Sequence, residues 1–182
     1  MPLLKDYYTA EDYWNLPEGE RAELIDGKFY DMAPPSRIHQ KLVFTISRII
    51  GNYIADHHGS CEVYPAPFAV NLDADDKDWV EPDISVICDP DKLTDRGCSG
   101  APDLIFEIVS PSSRKLDYGI KNGIYSQSGV REYWIVDPAK ERVTVYHYED
   151  DAAPVIYSFV QDIPVGIYPG LTIKINDLLE NY

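Results

Sequence analysis

The stretch "DLIFEIVSPSS", residues 103–113, decides the fold expected for this chain. Successive side chains point to opposite faces of a strand, and here both faces are apolar apart from one acid, Glu107. A strand that is apolar on both faces is typical of the interior of a sheet. An unpartnered carboxylate is costly in such a place. We therefore expect Glu107 to serve a function near the carboxyl end of a central strand, where functional groups of α/β sheets gather.

The segments around this strand predict a mixed α/β fold. Residues 22–30 predict a hairpin that turns at Asp26-Gly27, because that dipeptide suits a two-residue turn. Helices are expected near 36–58, 112–128 and 176–180. Further strands are expected near 61–72, 84–88, 131–136, 143–148 and 155–160. This order predicts one domain over residues 1–182, with a mixed central sheet flanked by helices and an antiparallel C-terminal extension.

Composition indicates a globular chain without a membrane span. The chain has 182 residues, of which 45% are hydrophobic, and no apolar run approaches eighteen residues. The first residues do not have the pattern of a secretory signal. The three cysteines are scattered and form no CxxC pair, which argues against a structural zinc site. We expect a location in the reducing cytoplasm.

The formal charge of −15 argues against a nucleic-acid partner, but the charge is distributed unevenly. Residues 73–95 hold nine acids and two lysines, and most of residues 73–78 is typical of a solvated loop. Residues 33–50 hold three basic side chains and no acid, and a second basic group follows residue 112. The residues that we predict to contact nucleic acid are Arg37, Lys41, Arg114 and Lys115.

Two acids and one lysine are candidates for a metal-assisted reaction. Asp83 stands at the start of the strand near 84–88, so it would face Glu107 if the two strands are antiparallel neighbours. Two close carboxylates repel each other and need a cation between them. Mg²⁺ is a suitable cation because it binds one or two carboxylates together with water and phosphate oxygens. Lys121 lies four residues after Asp117, on the same face of the expected helix.

Longer motifs resemble a known family. Residues 102–112 and 129–138, together with the helical pattern Asp117, Lys121 and Tyr125, closely resemble the Uma family of restriction-endonuclease-like proteins, which are similar to PD-(D/E)XK nucleases. The N-terminal segment Glu23-Leu24-Ile25-Asp26-Gly27 and His39 match the same family. The resemblance covers roughly residues 20–175. It departs from the nuclease signature at Val109, which stands where that signature has its lysine.

The resemblance implies a metal-dependent endonuclease that hydrolyses phosphodiester bonds of nucleic acid, with DNA as the expected substrate. It implies that Asp83, Glu107 and the main-chain carbonyl of Ile108 hold Mg²⁺ or Mn²⁺. It also implies that Lys121 replaces the missing lysine, that Glu23 completes the site, and that the protein is a homodimer. The residues expected in supporting roles are Asp117, His39 and Tyr125, with His39 more typical of a helix-surface or structural group than of a general base.

Other functions stay open at this point. The fold can serve as a binding or regulatory module with a vestigial site, acting with a partner protein, because Val109 breaks the signature. An accessory protein of a basic partner, and a phosphoesterase that acts on small nucleotides, are further alternatives. Taken singly, a strand-start Asp, a core Glu and an Asp–Lys pair are ordinary structural features. Convergence of Asp83, Glu107 and Lys121 in three dimensions would favour the nuclease.

Overall fold

A computed structural model describes residues 7–180, which form a mixed α/β structure with two six-stranded sheets. The helices are α1 (Ala10–Trp14), α2 (Arg37–Asp56), α3 (Asn122–Ser128) and α4 (Ile175–Glu180), with 3₁₀ turns at Pro90–Lys92 and Tyr148–Asp150 and a π-helical segment at Leu116–Lys121. The strands are β1 (Ala22–Ile25), β2 (Lys28–Asp31), β3 (Glu62–Pro65), β4 (Val70–Asn71), β5 (Trp79–Val80), β6 (Ile84–Ile87), β7 (Leu93–Thr94), β8 (Gly97–Ser99), β9 (Leu104–Ile108), β10 (Glu132–Asp137), β11 (Arg142–His147), β12 (Val155–Ser158), β13 (Ile163–Pro164) and β14 (Thr172–Ile173). Among the described residues, no helix has the length and apolar character needed to cross a bilayer.

The main sheet has β9 in its interior, as its two apolar faces predict. Its strand order is β12-β11-β10-β9-β6-β3, with β9 parallel to β10 and antiparallel to β6. Ile84 pairs with Phe106, so the register continued by one residue sets Asp83 beside Glu107. The predicted mixed sheet and the predicted pairing of these two strands are both confirmed.

The two faces of β9 enter different cores. Leu104, Phe106 and Ile108 pack in a cluster with the buried face of α2 and with the C-terminal segment. Ile105 and Val109 pack in a second cluster that includes Tyr125 of α3. Glu107 projects on the side of Ile105 and Val109, so its carboxylate lies under the helical segment that follows β9.

The long helix α2 matches its prediction closely. The Ser36 side chain caps it by accepting a hydrogen bond from the His39 amide. Its buried positions repeat at three- and four-residue spacing and cover one face of the main sheet; they are Leu42, Val43, Thr45, Ile46, Ile50 and Ile54. This packing fixes the orientation of the first helical turn, which carries His39.

The second sheet, with the order β2-β1-β5-β4-β8-β7, was not predicted. The strand expected over 61–72 divides into β3, which joins the main sheet, and β4, which joins the second sheet. Pro65 and Pro67 interrupt the run because proline has no amide proton for a ladder. Three of the strands in the second sheet, β4, β5 and β7, have two residues each, too few to show an alternating pattern.

The helix expected over 112–128 begins later and is not regular. Reciprocal hydrogen bonds between Ser110 and Ser113, each from the main-chain amide of one to the hydroxyl of the other, hold residues 110–113 in a turn. Helical backbone then runs over 114–128, with its middle in π-helical form. Gly129, with φ of 95°, ends α3 as predicted.

A disulfide joins Cys61 and Cys88, which sequence analysis treated as scattered cysteines. Glu62 pairs with Ile87 in the antiparallel β3–β6 ladder, so the next residues outward are brought side by side. The third cysteine, Cys98, is a buried thiol. Burial raises its pKa to about 11.

Glu132 is a buried carboxylate with a structural role. It accepts hydrogen bonds from Trp134 Nε1 at 2.6 Å and from the amides of Gly166 and Ile167 at 3.0 and 2.9 Å, which ties the C-terminal segment to β10.

We expect Glu132→Ala to lower the free energy of unfolding by about 3 kcal/mol, because it leaves buried donors unsatisfied. Urea unfolding measures this. Exposed Glu149→Ala should change it by less than about 1 kcal/mol, and equal losses in both variants would refute the assignment.

Candidate active site

Five buried ionisable side chains converge in a cavity of about 610 Å³ at the carboxyl end of β9. All five are at most 9% exposed; they are Glu23, Asp83, Glu107, Asp117 and Lys121. They come from the first hairpin, the start of β6, the centre of the main sheet and the helical segment after it. The structure therefore brings together the groups that sequence analysis assigned to catalysis.

Lys121 links the carboxylates from three different segments. Its Nζ lies 2.8 Å from Glu107 Oε1, 2.9 Å from Glu23 Oε2 and 3.6 Å from Asp117 Oδ1. Val109, where the nuclease signature has a lysine, packs in the apolar cluster instead. An ammonium group thus reaches Glu107 from the π-helical segment, and not from β9 itself.

Asp83 is held by a main-chain donor and by an imidazole. Its Oδ2 accepts a hydrogen bond from the amide of Ile108 at 2.7 Å. His39 Nε2 lies 3.1 Å from the same carboxylate, and the amide of Asp83 donates to Glu107 Oε2 at 3.4 Å. His39 therefore faces the site and not the open helix surface. Its position one turn before the buried Val43 was the sequence signal for this orientation.

Tyr125 is fully buried and donates from its hydroxyl to Glu107 Oε1 at 2.9 Å. The same oxygen also accepts from Lys121, so two donors fix one side of the Glu107 carboxylate. The other oxygen, Oε2, has the longer contact with the Asp83 amide. This arrangement directs Oε2 towards Asp83.

The site holds more negative than positive charge. Burial raises the pKa of Glu107 well above its usual value; Lys121 lowers it, and the neighbouring carboxylates raise it further. Burial also raises the pKa of Asp117, which Lys121 partly opposes. Four buried carboxylates thus face one buried ammonium group, and an additional cation would relieve their repulsion.

Lys121 is held in its charged form. Burial by itself lowers the pKa of this amine. The charges of Glu107, Glu23 and Asp117 together outweigh that effect and raise the pKa well above the usual lysine value. Lys121 is therefore a proton-bearing donor near neutral pH, and not a base.

The donor set fits a hard divalent cation that keeps part of its water shell. Within residues 7–180 there is no group of three His, Cys, Asp or Glu side chains arranged to hold a metal by themselves. Mg²⁺ commonly binds through one or two carboxylates, with water and phosphate as its other ligands. Asp83 and Glu107 supply two such carboxylates, and Asp117 Oδ1 is a buried oxygen without a hydrogen-bond donor.

The four side chains predicted to contact nucleic acid fall into two groups. Arg114 binds the buried carboxylate of Asp137 through two nitrogens, and Lys41 Nζ donates to the carbonyl of Leu179 at 2.7 Å. Arg37 and Lys115 are exposed, and neither forms an ion pair within the described part of the chain. The structure leaves the second pair available to a ligand and uses the first pair internally.

Glu81 belongs to the site but was missed. Its amide donates to Glu23 Oε1 at 2.9 Å, and its carboxylate binds Arg21 and the hydroxyl of Tyr13. Glu81 thereby fixes the carboxylate that in turn binds Lys121. Its place directly before Pro82-Asp83 was the available signal, but sequence analysis only counted it among the acids of residues 73–95.

The chain is similar to known proteins in sequence and in fold. The model of the family described as "Uma2: Putative restriction endonuclease" matches residues 6–175. Two proteins of Synechocystis sp., both described as uncharacterized, are similar to this chain. The protein slr1290 is 26% identical over 83% of this chain and 80% of its own length, and sll1609 is 29% identical over 79% and 82%.

A solved structure shares the fold. It is described as a "putative nuclease belonging to DUF820" from Anabaena variabilis ATCC 29413, and it superimposes with a TM-score of 0.74. The match covers 93% of this chain and 96% of the other, at 21% sequence identity. At that identity the likeness establishes a common architecture.

Proposed function

We propose that this chain, which belongs to the Uma2 family of restriction-endonuclease-like proteins, is a metal-dependent nuclease that hydrolyses phosphodiester bonds of nucleic acid, with DNA as the expected substrate. One observation carries the proposal. Lys121, from the helix, lies against Glu107, and Glu107 lies beside Asp83 at the meeting point of β9 and β6. In this proposal Lys121 takes the role of the lysine that the nuclease signature has at the position of Val109.

Asp83 and Glu107 would hold Mg²⁺ or Mn²⁺, together with the main-chain carbonyl of Ile108. The bound ion supplies charge neutralisation at the phosphate and a lower pKa for its water. The Ile108 amide and His39 orient Asp83, and Tyr125 orients Glu107. These contacts fix both carboxylates before substrate binds, which is the condition for effective catalysis in a polar site.

Lys121 donates from its ammonium group to the charge that develops on the phosphoryl oxygens. Glu23 and Asp117 hold that amine in place and keep it protonated. The reaction consumes one water: its oxygen joins phosphorus, and the bond from phosphorus to the leaving oxygen breaks. The leaving oxygen takes up a proton, and the products are a phosphomonoester and an alcohol.

The test is cleavage of labelled DNA and RNA at low salt with Mg²⁺ or Mn²⁺. We expect the wild type to cleave, and Asp83→Asn to lose at least about a hundredfold in rate. Asp177→Asn, an exposed acid on α4, is the matched control and should cleave as the wild type does. Absence of cleavage with both ions would support the alternative of a binding or regulatory module, which Val109 and the −15 charge favour.

We also propose that residues 1–182 act as one domain and assemble as a homodimer, for which the fourteen tyrosines offer amphipathic contact surface. Light scattering at micromolar concentration tests the dimer, and a monomer mass would refute it.

The cytoplasmic location stays a prediction. Disulfides persist in oxidising compartments, so a count of thiols in protein trapped directly from cells decides it: three thiols would fit the cytoplasm, and one would fit an oxidised Cys61–Cys88 pair.

A further inference from the structure

The cavity that contains the carboxylate cluster is charged on one side and mainly apolar on the others, which are called its floor and its walls here. The floor is anionic, with Glu23, Asp83 and Glu107. The walls are mainly apolar and rich in proline; they include Met32, Pro34, Pro35, Ile38, Pro111 and Pro138. Ile38 lines the cavity and is 43% exposed, so its apolar side chain is accessible to a ligand.

We infer that this cavity takes one unpaired nucleotide beside the scissile phosphate, so that the substrate is single-stranded nucleic acid and not an intact duplex. The inference rests on the proposed function and specifies its substrate class. A volume of about 610 Å³ falls within the usual size of pockets for small ligands, which is the scale of one nucleotide and not of a duplex. A base that is out of its stack binds instead to apolar and flat side-chain surfaces, as these walls provide.

The distribution of cations supports the same substrate. Three exposed cations stand next in sequence to residues that line the cavity: Arg37 before Ile38, Lys115 before Leu116, and Lys140 after Ala139. None of the three forms an ion pair within the described residues.

Three exposed cations can contact the phosphates of a short strand. A protein that makes about 6–10 phosphate contacts with duplex DNA loses affinity steeply as salt rises, and three exposed cations provide fewer contacts than that. The two cations of the lining itself are paired internally: Arg21 with Glu81, and Lys121 with Glu23 and Glu107. We therefore expect this protein to bind few phosphates and to rely on the base for part of its affinity.

Cleavage of matched substrates tests the inference. One labelled strand is supplied alone, in a perfect duplex, and in a duplex with an unpaired segment. We expect the single strand and the unpaired segment to be cut roughly tenfold or more faster than the duplex, because a paired base must first be unstacked. Faster or equal cleavage of the duplex would overturn the inference and leave the nuclease function standing. Cleavage of none of them would overturn both.

Binding by Ile38 variants tests the wall directly. Fluorescence anisotropy compares a thymidine octanucleotide with an abasic octamer of the same length. We expect Ile38→Ser to weaken binding of the thymidine strand about fivefold and to leave abasic binding unchanged. Ile156→Ser, an exposed isoleucine on β12 outside the cavity, is the control and should change neither. Equal effects of Ile38→Ser on both probes, or no effect on either, would refute the role of the wall.

The salt dependence gives a third measure. With three phosphate contacts on a single strand, log affinity is expected to fall with log salt concentration with a slope of about −2. A slope of about −5 or steeper would indicate a larger cationic surface and overturn the inference. If a basic protein and no oligonucleotide bound the wild type at this wall, the cavity would be a protein-docking site, which also contradicts it.

Discussion

Replacing Lys121 by Met is expected to lower the turnover number for phosphodiester cleavage by about a hundredfold or more, equivalent to about 2.7 kcal/mol of transition-state stabilisation. Met preserves the length and bulk of the side chain and removes the charge. Lys121 lines the cavity but is only 4% exposed, and its proposed contact is with the charge that develops in the transition state, so substrate binding should change far less than turnover. Single-turnover kinetics at saturating enzyme separate the two quantities.

The control for this variant is Lys77→Met, because Lys77 is an exposed lysine in the acidic loop, paired with Asp75. Loss of a buried ammonium group also leaves Glu23 and Glu107 without their common partner. Urea unfolding is therefore measured for each variant, and rates are compared per folded molecule. If folded Lys121→Met turned over as fast as the wild type, the assignment of Lys121 as the replacement for the missing lysine would be wrong.

Glu107→Gln is expected to abolish the binding of Mg²⁺ and Mn²⁺ measured by titration calorimetry. The amide keeps the shape of the carboxylate and can still accept from Tyr125 and Lys121, but it is a far weaker ligand for a hard cation. Without added metal, the variant should be at least as stable as the wild type, because burial and nearby acids together outweigh the favourable effect of Lys121 on the charge of Glu107 and raise its pKa.

Thermal unfolding separates this effect from simple loss of structure. A metal that binds only the folded state stabilises it by about 2.7 kcal/mol at a concentration of a hundred times its dissociation constant. The wild type and the exposed-site control Glu149→Gln should both show this stabilisation, and Glu107→Gln should show none. Equal heats and equal stabilisation in all three proteins would remove Glu107 from the metal site.

The short stretch around Glu107 contains enough information to place β9. Its two apolar faces exclude a strand with one face in water, and the acid-bearing start of β6 suggested the antiparallel neighbour that the sheet contains. The helix α2 followed from its repeating apolar face, and the hairpin at Asp26-Gly27 followed from its turn residues. Such patterns are local, because the spacing of side chains along one element is set by its own backbone geometry.

The contact between Lys121 and Glu107 could be predicted from the sequence only through a family motif. Local periodicity could place Lys121 on a helix after β9, but it could not give the direction of its side chain. The structure contains π-helical backbone at Leu116–Lys121, where a regular α-helix was expected. The turn formed by Ser110 and Ser113 sets where this segment starts, and with it the approach of the amine to the sheet.

Other features depended on the tertiary structure alone, because they join residues that no local pattern relates. Arg114 looks like a phosphate contact in the sequence, yet it is bound to Asp137 on β10. Cys61 and Cys88 are adjacent only because β3 and β6 pair. The short strands of the second sheet have no periodicity of their own and form through pairing with distant partners. The sequence by itself determined the strands of the main sheet, the long helix and which strand lies at the centre, whereas the second sheet and the partners of each charged group were decided by packing between distant segments.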